Sequence, residues 1–299
     1  MCKNAYITLL STNNYLYACI GLMYSWKATN SKYPFYCVVT EDIDEYNIKI
    51  LEDIGFNIIR EKRYIPKSYY ELLSKYEETG DFKAPVGAST ADLTKNGWQH
   101  GWTKLHIFKY EQFDKLLYMD ADSYVINNLD YVFDRPGWSG ISEYDAPWLG
   151  FYRFHSAFFL IEPNLQTYEE IIQLAEENPL ILHPATNEYQ LSNDYDLLNL
   201  YKKDWGEHPD LRLPIYTYLD SFQIRVSESF LPFLLNNFTK IGAIHLTGEK
   251  PWLYGTQFVE NCGGEWALWK ELYLIYIWFL NKALEDIYNK GIASLTLIS

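Results

Sequence analysis

Asp120 and Asp122 stand two residues apart, directly after the compact apolar run Lys115 to Met119. A run of that kind reads as a strand, and residues i and i+2 of a strand project to the same side. Just past the strand's end the geometry loosens, yet two carboxylates can still converge there. Hard oxygen ligands select Mg²⁺ or Mn²⁺, which take one or two carboxylates and complete their shell with substrate phosphate and water. The triplet alone reads equally well as solvated loop or helix cap. Its place at the carboxyl end of an apparently parallel strand, where open α/β sheets bind ligands, gives it chemical meaning.

A second group lies in His245-Leu246-Thr247-Gly248-Glu249-Lys250-Pro251-Trp252. A histidine ending a strand could supply an imidazole ligand, which Mn²⁺ accepts more readily than Mg²⁺. Gly248 would let the backbone approach a phosphate closely. Lys250 offers a compact positive charge to a diphosphate. Taken singly, the histidine reads as a hydrogen-bonded structural residue and the lysine as a solvated charge; eight residues that hold both point to one site.

The elements that must position these groups alternate in type. Ala5 to Leu10, Phe35 to Val39 and Phe56 to Ile59 read as strands, and Tyr15 to Thr29 and Asp44 to Ile54 as the helices between them. Ser11-Thr12-Asn13-Asn14 is a polar break able to cap the first helix. Gly55 stops the second. Strands separated by such helices imply parallel βαβ units in a sheet covered on both faces. Pro66 to Trp98, polar and holding Gly80, Pro85, Gly87 and Gly97, reads as a loop or lid. Trp102 to Phe113 reads as a helix, Phe158 to Ile161 as a strand, and Asn164 to Asn178 and Asp194 to Lys203 as helices. Ile241 to Leu246 reads as a buried strand, and Trp266 to Tyr288 as a long aromatic-rich helix. That gives an α/β fold of one catalytic domain, 1–255, with a C-terminal helical extension, 256–299, packed on it or on a second copy in a homodimer.

Bulk composition removes several classes. The chain has 299 residues, 48% hydrophobic and 21% charged, so it can fill a core and is not a disordered chain. A net charge of −14 argues against nucleic acid as a partner. One divalent ion could still reverse the field locally for a small phosphorylated ligand. Cys2, Cys19, Cys37 and Cys262 fit neither a zinc motif nor a disulfide framework, and read as thiols in a reducing compartment. The first residues lack a signal peptide's apolar stretch, and no run reaches the ~20 apolar residues of a membrane span. The expectation is a soluble cytoplasmic protein. A nucleotidyltransferase is disfavoured, because Ser11-Thr12-Asn13-Asn14-Tyr15 after the first strand lacks the glycines that would grip a triphosphate.

The combined segments resemble glycosyltransferase family 8, the glycogenin and galactinol synthase group, over roughly residues 4 to 255. They are Ala5-Tyr6-Ile7-Thr8-Leu9 with Tyr15, Thr103-Lys104-Leu105-His106, Lys115 to Asp122, Asp196-Leu197-Leu198-Asn199 and His245 to Trp252. The resemblance implies a GT-A fold, a Rossmann-like, mostly parallel mixed sheet flanked by helices. It implies retaining, metal-dependent transfer of a hexose from a UDP-sugar, with Mn²⁺ (or Mg²⁺) held by Asp120, Asp122 and His245. By the same carry-over, Leu9, Ser11 and Tyr15 lie around uracil and ribose, Lys104 approaches the donor sugar or phosphates, and Lys250 binds the diphosphate. Ala121 and Gly248 join the nucleotide-sugar positions. Asp194 would stabilise the sugar's developing positive charge, with a helix N-cap as its competing role.

The chain departs from the family at His155-Ser156-Ala157, where Asn-Ser-Gly is common, and at Asp194-Tyr195, where Asp-Gln is common. Its His245-to-Trp252 stretch is also one residue shorter than glycogenin's. These changes leave the donor sugar open, and the acceptor could be a glycan, a lipid-linked sugar or a protein. A non-catalytic sugar-binding protein on the same scaffold is the alternative.

Overall fold

A computed structural model describes residues 3–79, 98–142, 153–182, 189–221, 236–248, 250–255, 267–293 and 295–297. Its main sheet is mixed and mostly parallel, six-stranded, flanked by helices, with the order β3-β2-β1-β4-β7-β6. These strands are β1 (Asn4–Leu10), β2 (Phe35–Thr40), β3 (Asn57–Glu61), β4 (Lys115–Met119), β6 (Gly140–Ser142) and β7 (Phe154–Ile161). A smaller sheet runs β10-β11-β5, from Tyr218–Asp220, Ala243–His245 and Ser123–Val125. Leu180–Leu182 and Tyr189–Leu191 form a two-stranded ribbon, β8-β9. The chain divides into two compact units. One comprises residues 1–4, 61–117 and 135–213; the other comprises 5–60, 118–134 and 214–299.

In the second unit, β1 and β2 pair in parallel from Tyr6↔Phe35 to Leu10↔Val39. The helix between them, α1 (Leu16–Ala28), is buried along most of its surface, as a helix packed on several sides must be. Thr12 does not cap it. The Asn13 side chain instead donates to Asp44 and accepts from the Asp44 N–H and from Asn47, so the polar break serves a loop-to-loop clasp. The C-terminal helix, α6 (Ala267–Asn289), belongs to the same unit and reaches α1, where Tyr24 donates to Asp286 at 2.6 Å. The small sheet is held at its start by Gly242, whose carbonyl accepts from Ile126 and Asn127. A Cβ on Gly242 would lie 2.4 Å from the Thr217 carbonyl oxygen and 2.5 Å from Leu129 Cδ2. Backbone cannot yield as a flexible side chain can, so Gly242→Ala should cost about 1–3 kcal/mol. A melting temperature unchanged from wild type would contradict this.

In the first unit, β6 and β7 pair antiparallel, with a register shift between Gly140 and Ser142. Here α3 (Lys67–Thr79) replaces the first part of the expected loop over Pro66 to Trp98. Among its described side chains Tyr69 and Leu73, at i and i+4, are buried, a stripe too narrow to stand out in a polar stretch. The remainder of that expected lid, with Gly80, Pro85, Gly87 and Gly97, lies outside the described residues, as do Cys2, Cys262 and Glu249. Within the helix expected over Trp102 to Phe113, Trp102–Lys109 is a 3₁₀ helix. Trp102 to Phe108 are all buried, so no apolar stripe separates a period of 3.0 from 3.6. The helices α4 (Leu165–Glu177) and α5 (Asp194–Tyr201) start at Asn caps, Asn164 and Asn193. No helix among the described residues is long and apolar enough to cross a membrane.

Candidate active site

β4 ends at Met119 and β5 begins at Ser123, so Asp120-Ala121-Asp122 is the turn between two strands. The Ser123 N–H closes it onto the Asp120 carbonyl at 3.1 Å, and the Leu246 N–H donates to the Asp122 carbonyl at 2.9 Å. His245 is the last residue of β11 and pairs across the small sheet with Ser123 of β5 and Asp220 of β10. Directly paired residues place their side chains on a common face, so the register delivers the imidazole to the Asp120–Asp122 turn.

There, His245 Nε2 lies 3.1 Å from Asp122 Oδ1 and 3.9 Å from Asp120 Oδ2. One ligand atom from each of Asp120, Asp122 and His245 lies within 4.8 Å of the other two. Two carboxylate oxygens and one imidazole nitrogen at this separation fit a hard or borderline divalent ion such as Mn²⁺ or Mg²⁺. The Tyr118 hydroxyl donates to Asp120 Oδ1 at 2.6 Å. Lys250 Nζ donates to Asp122 Oδ2 and to the Leu246 carbonyl, each at 2.6 Å. Lys250, assigned to a diphosphate from sequence, is thus also a partner of the carboxylate cluster.

The charges are strongly interdependent. Burial would raise the Asp122 carboxyl, but Lys250 and His245 hold it well below the usual carboxylate range. Burial would lower Lys250, and Asp122 more than reverses this. Burial likewise opposes the imidazolium, yet Asp122 and then Asp220 raise His245 from 6.5 to about 10. That raised value stabilises the metal-free protein below pH 6.5, a contribution lost as pH rises through about 10. An imidazolium cannot ligate, so ion binding must expel its proton. Affinity for Mn²⁺ should therefore climb between about pH 7 and pH 9 with proton release. Calorimetry in buffers of different ionisation enthalpy reads both; a flat affinity with no proton released would contradict the charge assignment.

The remaining predicted positions are placed as follows. Leu9 is half-buried near the end of β1, Ser11 is buried directly after it, and Ala121 is buried in the turn. Tyr15 sets its ring edge-on to Trp252 at 5.4 Å, and burial pushes its hydroxyl up to about 12 against the pull of Lys250. Gly248 is exposed at φ +85°, a conformation that suits glycine.

Lys104 and Asp194 meet inside the first unit. Lys104 Nζ lies 2.8 Å from Asp194 Oδ2, and donates to the Ser156 carbonyl at 3.2 Å; the Ser156 hydroxyl donates to the same carboxylate oxygen at 2.9 Å. Asp194 is not the helix cap, because Asn193 Oδ1 takes the Asp196 N–H at 2.8 Å. The carboxylate reaches across Gly101, where a Cβ would sit 2.8 Å from Asp194 Oδ1. Beside it, Arg153 pairs with Asp196 at 2.8 Å and lies over the Tyr195 ring at 4.3 Å, with His155 on that ring's other contact. The two departures from the family pattern, His155 and Tyr195, are therefore neighbours.

Sequence reasoning missed Asp220, whose carboxylate lies 3.3 Å from His245 Nδ1. The signal was present: Tyr218-Leu219-Asp220 is an apolar run that ends in an acid, as Met119-Asp120 is.

Residues 6–135 match the model of glycosyl transferase family 8. Glycogenin-1 of Caenorhabditis elegans is 24% identical over 278 residues, covering 92% of this chain and 56% of that protein. Galactinol synthase 2 of Arabidopsis thaliana is 24% identical over 289 residues, covering 84% of this chain and 74% of that protein. Human glycogenin-1 is 31% identical over 163 residues, 51% of this chain and 39% of that protein. This chain thus spans little more than half of the nematode glycogenin. Among solved structures, the galactosyltransferase LgtC with donor and acceptor sugar analogues superposes with a TM-score of 0.53 at 16% identity, over 89% of this chain and 99% of that one. The glycosyltransferase GlyE of Streptococcus pneumoniae gives 0.51 at 17% identity, over 97% of this chain and 64% of that one. These two likenesses bear on the fold, which is of the GT-A type. Over residues 6–135 the chain is thus similar to glycosyltransferase family 8, and over most of its length it is similar to glycogenin and galactinol synthase.

Proposed function

We propose that this chain is a metal-dependent retaining hexosyltransferase that uses a UDP-sugar and delivers the sugar to a glycan, lipid-linked or protein acceptor. The observation that carries the proposal is the convergence of Asp120, Asp122 and His245 with Lys250 at Asp122. Breaking the anomeric bond leaves negative charge on a diphosphate and positive charge on the sugar ring. A divalent cation held by the three ligands would supply fixed positive charge for the diphosphate, and preorganised charge of this kind is usually the largest catalytic contribution. Lys250 adds a second positive charge, already held in place by two hydrogen bonds.

Leu9, Ser11 and Tyr15 are assigned to the nucleoside, and Ala121 and Gly248 to backbone contact with the donor. Lys104 and Asp194 are assigned to the sugar on the strength of the family resemblance, not of a distance to the carboxylate cluster. Galactinol synthase and glycogenin relatives support a hexose donor. Residues 1–255 would form the catalytic domain, with 256–299 as its docked extension and a candidate homodimer surface. Cys19 and Cys37, both buried free thiols, suit a cytoplasmic location.

A thermal-shift panel of nucleotide-sugars with and without Mn²⁺ tests the proposal. A donor at one hundred times its Kd adds about 2.7 kcal/mol of stability, a rise of roughly 4 °C for a chain of this size. UDP-sugars should raise the midpoint only with the metal present, and Mn²⁺-dependent donor hydrolysis should accompany the shift. A shift without hydrolysis would favour the non-catalytic reading. No shift from any UDP-sugar with Mn²⁺ would overturn the proposal.

A further inference from the structure

The His245 imidazole has two nitrogens with different surroundings. Nε2 faces the carboxylates of Asp122 and Asp120 at 3.1 and 3.9 Å. Nδ1 faces away from them, toward Asp220 Oδ2 at 3.3 Å and Thr247 Oγ1 at 3.3 Å. Asp220 is buried and closes β10, in direct register with His245 on β11. Two residues earlier on the same face of β10, the Tyr218 ring lies tilted against the imidazole at 5.7 Å, and its hydroxyl shares a hydrogen bond with Ser123 Oγ at 2.7 Å. The ring is thus gripped by one strand through both its nitrogen and its face.

An imidazole ligates through a nitrogen that carries no proton, so the other nitrogen must carry it, and a carboxylate acceptor fixes that choice. A buried carboxylate also needs a donor of its own. The Nδ1–H answers that need, while Thr247, a hydroxyl that can rotate away, cannot choose the tautomer alone.

We infer that Asp220 is a positioning residue for His245: it accepts the Nδ1–H, fixes the tautomer with Nε2 toward Asp120 and Asp122, and so sets the protein's affinity for its divalent cation. The inference rests on the metal site proposed above. It assigns Asp220 no contact with the ion or the donor; Asp220 acts only through His245.

The test is Mn²⁺ affinity of the full chain, without nucleotide, measured by calorimetry or by loss of the free-ion electron-spin-resonance signal. Four variants are compared: Asp122→Asn, Asp220→Ala, His245→Ala, and the double variant Asp220→Ala/His245→Ala. Partners of metal-binding histidines are commonly worth about 10–100-fold in metal affinity, so Asp220→Ala should lose at least about tenfold. In the His245→Ala background the same substitution should change affinity by less than about twofold, since coupled residues are not additive. If Asp220→Ala fails to fold, Asp220→Asn takes its place in both backgrounds. Its amide oxygen can still accept the Nδ1–H, so it should retain affinity within a few-fold in either. Wild-type affinity in Asp220→Ala, or an equal loss with and without His245, overturns the positioning role. For the substitute, equal tenfold losses in both backgrounds overturn it. Wild-type affinity in Asp122→Asn would instead overturn the metal site itself, which separates the two failures.

Discussion

Asp122→Asn is expected to abolish Mn²⁺ binding and to lower sugar transfer by about 10³-fold or more. A bound cation contributes several kcal/mol to stabilising developing charge, and each 1.36 kcal/mol is about tenfold in rate. The amide is chosen over alanine because Asp122 is buried and partners both Lys250 and His245. Either substitution removes the negative charge beside Lys250 and His245, but Ala would also leave a void and no acceptor for them, and a loss of fold could then imitate a loss of metal. Asn keeps the volume and a hydrogen-bond acceptor but brings no charge to a hard ion. Circular dichroism and the melting midpoint of the metal-free variant report the fold, while calorimetry and donor turnover report the site. Near wild-type transfer by a folded Asp122→Asn variant with Mn²⁺ present would remove Asp122 from the ligand set.

The second large effect is on stability. Lys104→Met leaves the Asp194 carboxylate, nine-tenths buried, with the Ser156 hydroxyl in place of a full positive charge. Breaking a buried pair by deleting one member costs about 3–5 kcal/mol, which is roughly a 5–8 °C fall in midpoint for a chain of this length. Replacing both members with apolar residues of similar volume should recover much of that loss, because no orphan charge remains. The double variant Lys104→Met/Asp194→Leu should therefore melt above Lys104→Met. If it melts lower, the two side chains do not act as a pair. Transfer should be lost in both, as the proposed roles of Lys104 and Asp194 at the sugar require.

Much of the site could be read from order and spacing. Asp120 and Asp122 announce themselves as acids that end an apolar run, and His245 does so as an imidazole that ends another. What brings these groups together is the register of the small sheet, Asp220↔His245↔Ser123. All three of its strands are three-residue segments, Ser123–Val125, Tyr218–Asp220 and Ala243–His245, too short to show a period of two. For that reason Asp220 went unread, and so did Tyr118, which appears apolar in sequence but hydrogen-bonds Asp120. Asp194 was ambiguous between cap and site because Asn193 precedes it, and either side chain could have taken the Asp196 N–H. The pitch of Trp102–Lys109 is not legible in the sequence for a different reason: burial on all sides erases the polar face by which a helix reveals its pitch.

The most direct measurement is anomalous diffraction at the manganese edge from crystals of the chain grown with Mn²⁺ and UDP. A single strong peak bonded to one carboxylate oxygen from each of Asp120 and Asp122 and to His245 Nε2, with UDP phosphate oxygens on its open side, is the predicted result. Electron density for UDP with no anomalous peak among those three residues would contradict the account.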